Sequence, residues 1–139
     1  MRTVTIYRMS GSTLVPVASG IQTDSADLDV APSGKFFELL DGSFAYYPVQ
    51  TAKHTMTLTL EMTGVAAAAV RSAVRFGELY FEGIRAGSLE GVSGTAYRAC
   101  VTGTVRSDPK YALCDIYCVE IPLRFAVSGD TLQSVEVST

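Results

Sequence analysis

Residues 40–62 read LDGSFAYYPVQTAKHTMTLTLEM, and the second half of that stretch decides the fold class. Met56, Leu58, Leu60 and Met62 alternate with Thr55, Thr57, Thr59 and Glu61. Successive side chains of an extended strand point to opposite faces. This period of two therefore makes a half-buried antiparallel strand whose threonines face solvent or a neighbouring subunit. Upstream, Asp41-Gly42 favours positive φ at a turn, so KFFELL (35–40) reads as a strand that the turn closes. Downstream, Thr63 is placed to cap a helix through its hydroxyl oxygen. VAAAAVRSAV (65–74) then offers four consecutive alanines, the best helix formers, before Phe76-Gly77 stops the run. The spacing predicts a helix over about 65–75, with Val65, Ala69, Val70, Ala73 and Val74 as a narrow stripe against a sheet. Arg71 and Arg75 point away from it, toward solvent or an inter-subunit contact, and suit the negative helix C-terminus.

The rest of the chain carries the same strand signals. Val4 and Ile6 alternate with Thr3, Thr5 and Tyr7, and SGS (10–12) turns the chain toward Leu14, Val15 and Val17, which predicts an N-terminal hairpin. Residues 20–34 read as a loop with a short strand at 28–30. Its acids Asp24, Asp27 and Asp29 lack the ligand order of a calcium loop. GELYFEG (77–83) is a short strand with Leu79 and Phe81 opposite Tyr80, and the glycine-rich 84–94 is a flexible connection. TAYRACVTGTV (95–105) puts Tyr97, Ala99, Val101 and Val105 on one face. RSDPKYA (106–112) is a turn at Asp108-Pro109. In the last long strand Tyr117, Val119, Ile121, Leu123 and Phe125 form the most apolar face, and Pro122, lacking an N–H, marks an edge or a bulge.

At 139 residues the chain fits a single domain, 1–139, able to bury a core without staples. Hydrophobic residues make up 47% and charged residues 18%, a balance that leaves apolar surface for partners. The net charge of −3 arises from scattered charges with no basic run, which argues against sequence-specific nucleic-acid binding. No window reaches the roughly 18 apolar residues of a membrane span, and the N-terminus alternates rather than building a signal core, so a cytoplasmic origin is expected.

Cys100, Cys114, Cys118 and His54 lack zinc spacing. On a continuous strand Cys114 and Cys118 would sit about 13 Å apart, too far for one metal or a disulfide. They read as small buried hydrophobes in a reducing compartment. His54 reads as a strand-end polar residue. There is no GxSxG, Walker loop or HExxH, and neither an enzyme nor a cofactor is expected.

Gly42, Ser43 and Phe44, the alternating strand 56–62, Gly77-Glu78-Leu79, and Tyr97, Arg98, Ala99, Val101 and Gly103 occur in this order. Over about 35–127 the chain resembles the N-terminal domain of distal tail proteins of long, non-contractile-tailed bacteriophages, or a related tail-tube-like protein. In that family a Gly-Ser-aromatic step precedes a Thr-alternating strand, a short helix leads to a Gly-(Glu or Lys)-Leu strand, and a Tyr-Arg/Lys strand follows. The resemblance implies an antiparallel β-sandwich or split barrel with one packed helix. It further implies a virion structural component: a ring, hexameric in that family, that joins the tail tube to the tail-tip hub. Ring contacts are then expected from Phe44, Tyr46 and Tyr47 beside the turn, Arg71 and Arg75 on the helix, and Arg85 and Leu89 in the linker. The alternative from another class is a β-sandwich adhesion module that binds carbohydrate or peptide through Tyr46, Tyr47 and Tyr80.

Overall fold

The computed structural model describes residues 2–23, 27–31, 34–48, 52–87, 89–111, 113–128 and 131–137, excepting the side chains at 34–36 and 47–48. The strands are β1 (Arg2–Ser10), β2 (Thr13–Gln22), β3 (Asp29–Ala31), β4 (Gly34–Glu38), β5 (Phe44–Pro48) and β6 (Lys53–Thr63). Helix α1 (Gly64–Ala73) runs into a 3-10 turn, Val74–Phe76. Then come β7 (Glu78–Glu82), β8 (Arg85–Ala86), β9 (Leu89–Glu90), β10 (Thr95–Val101), β11 (Arg106–Tyr111), β12 (Ile116–Phe125), β13 (Val127–Ser128), β14 (Thr131–Leu132) and β15 (Ser134–Glu136).

The chain is mainly β with one short helix, and six strands close into an antiparallel barrel in the order β12, β10, β7, β1, β2, β6 and back to β12. The closing seam is the longest ladder of β6. It pairs with β12 from Thr63 opposite Ile116 to Thr55 opposite Arg124. Met56, Leu58, Leu60 and Met62 thereby meet Leu123, Ile121, Val119 and Tyr117 as direct cross-strand pairs on the inner face. The apolar rows of the two strands face the same core, joined there by Val4, Ile6, Leu79, Phe81, Ala99 and Phe125.

Bends in the strands make the closure possible. The β1–β2 register slips between Ile6 and Tyr7, so that Ile6 faces Ala18 while Tyr7 faces Pro16. Val17 is the extra residue, and Val17 and Ala18 both pack against the core, as a bulge requires. Beyond its two pairs with β6, at Ile21 and Gln22, β2 parts from that strand. Helix α1 packs on β2, β6 and β12 there. Thr63 caps it as expected, its Oγ1 accepting from the Ala66 amide at 3.3 Å, a contact of about 1 kcal/mol. The buried stripe is Ala67, Val70 and Ala73. Val65, expected on that stripe, is exposed, because five residues at about 100° each turn it roughly 140° away from Val70, the centre of the buried stripe.

Four other expectations are corrected. The 84–94 segment is not a loose connection: β8 and β9 pair within it, and Ile84, Ala86 and Gly91 are buried. RSDPKYA is not simply a turn. Arg106–Tyr111 forms β11, an edge strand on β12, and an edge tolerates Pro109. Pro122 lies in an interior strand, where the partner of β12 changes from β11 to β10. Its carbonyl accepts from the Thr102 amide at 3.0 Å on that side, so its missing N–H falls at the break between ladders. Finally, the cysteines are not buried: Cys100 and Cys114 are exposed and Cys118 is half-buried. Cys114 sits in the turn at 113–115 rather than on the strand.

Candidate assembly surfaces

Among the described residues, strands β4 and β5 pair only with each other, outside the barrel sheet. Their register sets Glu38 opposite Phe44, Phe37 opposite Ala45 and Lys35 opposite Tyr47. Directly opposed residues share a face, and so do residues two apart. Glu38, Phe44 and Tyr46 therefore stand together on one face of the hairpin.

The DGSF turn that joins the strands is fixed by its own polar groups. Leu39 N–H donates to the Ser43 carbonyl at 2.8 Å, and Gly42 N–H donates to the Leu39 carbonyl at 3.1 Å. Gly42 takes φ 87°, which only glycine adopts without strain. Asp41 Oδ1 accepts from the Ser43 amide at 2.9 Å and from its hydroxyl at 2.5 Å. Those bonds hold the Asp41 carboxyl below the ordinary carboxylate range.

This hydrogen-bonded turn presents an apolar surface to water. Phe37, Leu39, Leu40, Phe44 and Tyr46 are all exposed, Phe44 by 64% and Leu40 fully. A two-stranded hairpin alone is marginally stable in water, and clustered exposed apolar side chains mark an interaction surface. The Tyr47 side chain lies outside the described set, so the expectation placed on it does too.

A second surface lies along α1 and β2. Arg71 and Arg75 are exposed on the outer side of the helix and its 3-10 turn. The Arg75 guanidinium stands 5.0 Å from the centre of the Phe76 ring, and Arg8 from β1 stands 5.2 Å from the same ring, within cation–π range. Val15, Val17 and Ala69 line the groove beside them. None of the ion pairs among the described residues involves Arg8, Arg71 or Arg75.

Arg85 and Leu89 fall elsewhere, on the β8–β9 pair. Arg85 meets Glu90 in an exposed ion pair at 3.9 Å, which contributes little in water. Leu89 packs against the barrel core and is only half-buried there. The structure thus separates the expected contact residues into three places: Phe44 and Tyr46 on the hairpin, Arg71 and Arg75 on the helix, Arg85 and Leu89 at the 84–94 segment. Sequence reading missed Phe37, Leu39 and Leu40 as surface residues, and Arg8 and Phe76 as partners of Arg75. The available signal for the first three was the turn itself, which pairs KFFELL with FAYYP rather than with a core strand.

The aromatic trio expected of an adhesion module does not come together. Tyr80 is buried in a small cluster with Tyr7 and Ala96 on the outer barrel face, against Val135 and Val137 of the C-terminal segment.

Among the described residues no group of three or more His, Cys, Asp or Glu side chains is placed to hold a metal ion. His54 Nδ1 lies 3.2 Å from the Ala52 carbonyl at the start of β6. Arg98 grips Glu78 through two N–H donors, at 3.0 and 2.5 Å, and a third reaches Gln133 at 3.0 Å. Lys110 pairs with Glu61 across the outer face. The Arg98–Glu78 and Lys110–Glu61 pairs are links between strands. No helix among the described residues is long and apolar enough to cross a membrane. No family model matches this chain, and no curated protein or solved structure matches it.

Proposed function

We propose that this chain is a structural subunit, not an enzyme, and that copies of it assemble into a ring within a bacteriophage tail, between the tail tube and the tail tip. The observation that carries the reading is the β4–β5 hairpin. It stands outside the barrel sheet and exposes Phe37, Leu39, Leu40, Phe44 and Tyr46. Such a surface gains free energy when another protein covers it, at roughly 25 cal/mol per Å² of apolar area removed from water.

The closed barrel supports the same reading. Closure leaves few free strand edges, so contacts fall to the projecting parts and the helix face. Heterologous contacts between such different surfaces generate rings where the rotation between copies closes. The order of strand, turn, alternating strand, short helix and following strands agrees with the distal-tail resemblance and supports the tail assignment. The proposed partners are further copies of this chain, a tube protein and a tip hub; nucleic-acid recognition, membrane insertion and a cofactor form no part of the proposal.

Light scattering of the purified chain, followed by binding to the tube protein of the same phage, tests the reading. A stable oligomer, hexameric by the resemblance, that captures the tube protein is expected. A monomer that binds glycan or peptide saturably through Phe44 and Tyr46 would favour the adhesion module instead.

A further inference from the structure

Building on the ring reading, we infer that the Glu38, Phe44 and Tyr46 face of the hairpin on one copy seats in the groove between α1 and β2 of the next copy. The two surfaces are complementary in charge and in apolar content. Glu38 and Asp41 make the hairpin end acidic, around exposed Leu39, Leu40 and Phe44. The groove carries Arg8 and Arg75 around the half-exposed Phe76 ring and the apolar Val15 and Val17, with Arg71 on the adjoining outer face of the helix, and no acid lines either surface among the described residues. Two of the eleven basic residues of a net-acidic chain line the groove and a third, Arg71, stands beside it, all outside every ion pair among the described residues.

Juxtaposed like charges on such a surface repel unless acid from elsewhere covers them. Glu38 is exposed and likewise belongs to none of those ion pairs. The half-exposed Phe76 ring, with the Arg8 and Arg75 guanidiniums 5.2 and 5.0 Å from its centre, offers aromatic surface to Phe44 or Tyr46.

The remaining strand edges are poor alternatives. β11 carries Pro109 among Arg106, Asp108 and Lys110, which blunts an edge against pairing. β3 and β15 have three residues each, too few for a stable added ladder. Because hairpin and groove are different surfaces, the contact is head-to-tail. Repetition closes it into a ring or extends it into a filament.

Sedimentation velocity of the full chain tests the pairing through charge reversal. Each of Glu38→Arg and Arg75→Glu alone is expected to weaken self-association by roughly tenfold, as like charges meet. Combining them restores most of the loss, and thermal melts check that each variant stays folded. Association that ignores both reversals overturns this pairing but leaves the ring reading standing. Sensitivity to Glu38→Arg alone, without Arg75→Glu, places the hairpin on another hairpin and also overturns it. Two weakened single variants with no recovery in combination do the same. A wild-type chain that stays monomeric at every concentration overturns the pairing and the ring together.

Discussion

The side chain of Gln22 acts as an extra strand for Arg85: its Nε2 donates to the Arg85 carbonyl at 2.6 Å, and its Oε1 accepts from the Arg85 amide at 2.9 Å. Gln22 is the one buried polar or charged residue among those described. It ties the end of β2 to β8 and so closes the barrel end that the 84–94 segment covers. Gln22→Ala removes both partners of a part-buried backbone unit and is expected to cost about 1–3 kcal/mol. Urea unfolding measures it; a loss under about 0.5 kcal/mol, the range of an ordinary surface change, would contradict this role.

Gly83 turns the chain into that same segment with φ 89°, and a Cβ built on it would meet the Thr3 carbonyl oxygen at 2.5 Å. Two separate penalties, strained φ and contact with backbone that cannot swing aside, act at one position. Gly83→Ala is expected to destabilise the fold by about 1–3 kcal/mol. An unchanged melting temperature would show that the turn relaxes freely.

The alternation of residues 55–62 and the Thr63 cap were legible because both are local. A period of two and a hydroxyl three residues before an amide need no knowledge of the rest of the chain. Barrel closure was not legible, because it depends on Thr63 finding Ile116, a pairing between distant segments that no local pattern encodes. Pro122 shows the same limit: its residue type announces a missing donor, but only the break between β11 and β10 says where that donor is not needed. The 84–94 segment looked loose because its glycines are visible and Gln22, which pins it, lies far back in the sequence. Of the candidate surfaces, the turn and its aromatics were readable. The basic groove was not, since Arg8 of β1 and Phe76 of the 3-10 turn meet only once β1 has paired with β7, the strand that follows the turn.

Thiol chemistry should separate the three cysteines. Cys118 is half-buried, and its pKa is raised mainly by burial and then by the nearby Glu120 carboxylate, so little thiolate forms. Cys100 and Cys114 are open to solvent. Alkylation at neutral pH, followed by mass spectrometry, is expected to label Cys100 and Cys114 first and Cys118 several-fold more slowly. Equal rates would place Cys118 in a more open environment than β12 provides.

Asp41 gives the hairpin a pH signature. Its bonds from Ser43 lower the folded pKa below the ordinary value of 3.8. A depressed carboxylate pKa means that its contribution to the turn is fully present above that ordinary value and is lost as pH falls through the folded one. The Ser43 amide resonance should therefore shift with a midpoint below 3.8, and Asp41→Asn should abolish the transition. A midpoint at or above the ordinary value would mean that Asp41 does not hold the turn in solution.

Negative-stain electron microscopy of the purified full chain tests most directly whether the hairpin makes this barrel an assembling subunit. Closed rings of uniform subunit number in the wild type, replaced by single small particles in a folded Phe44→Ser, Tyr46→Ser variant, are the expected result. Isolated particles in the wild type, or rings that persist unchanged in the variant, would contradict it.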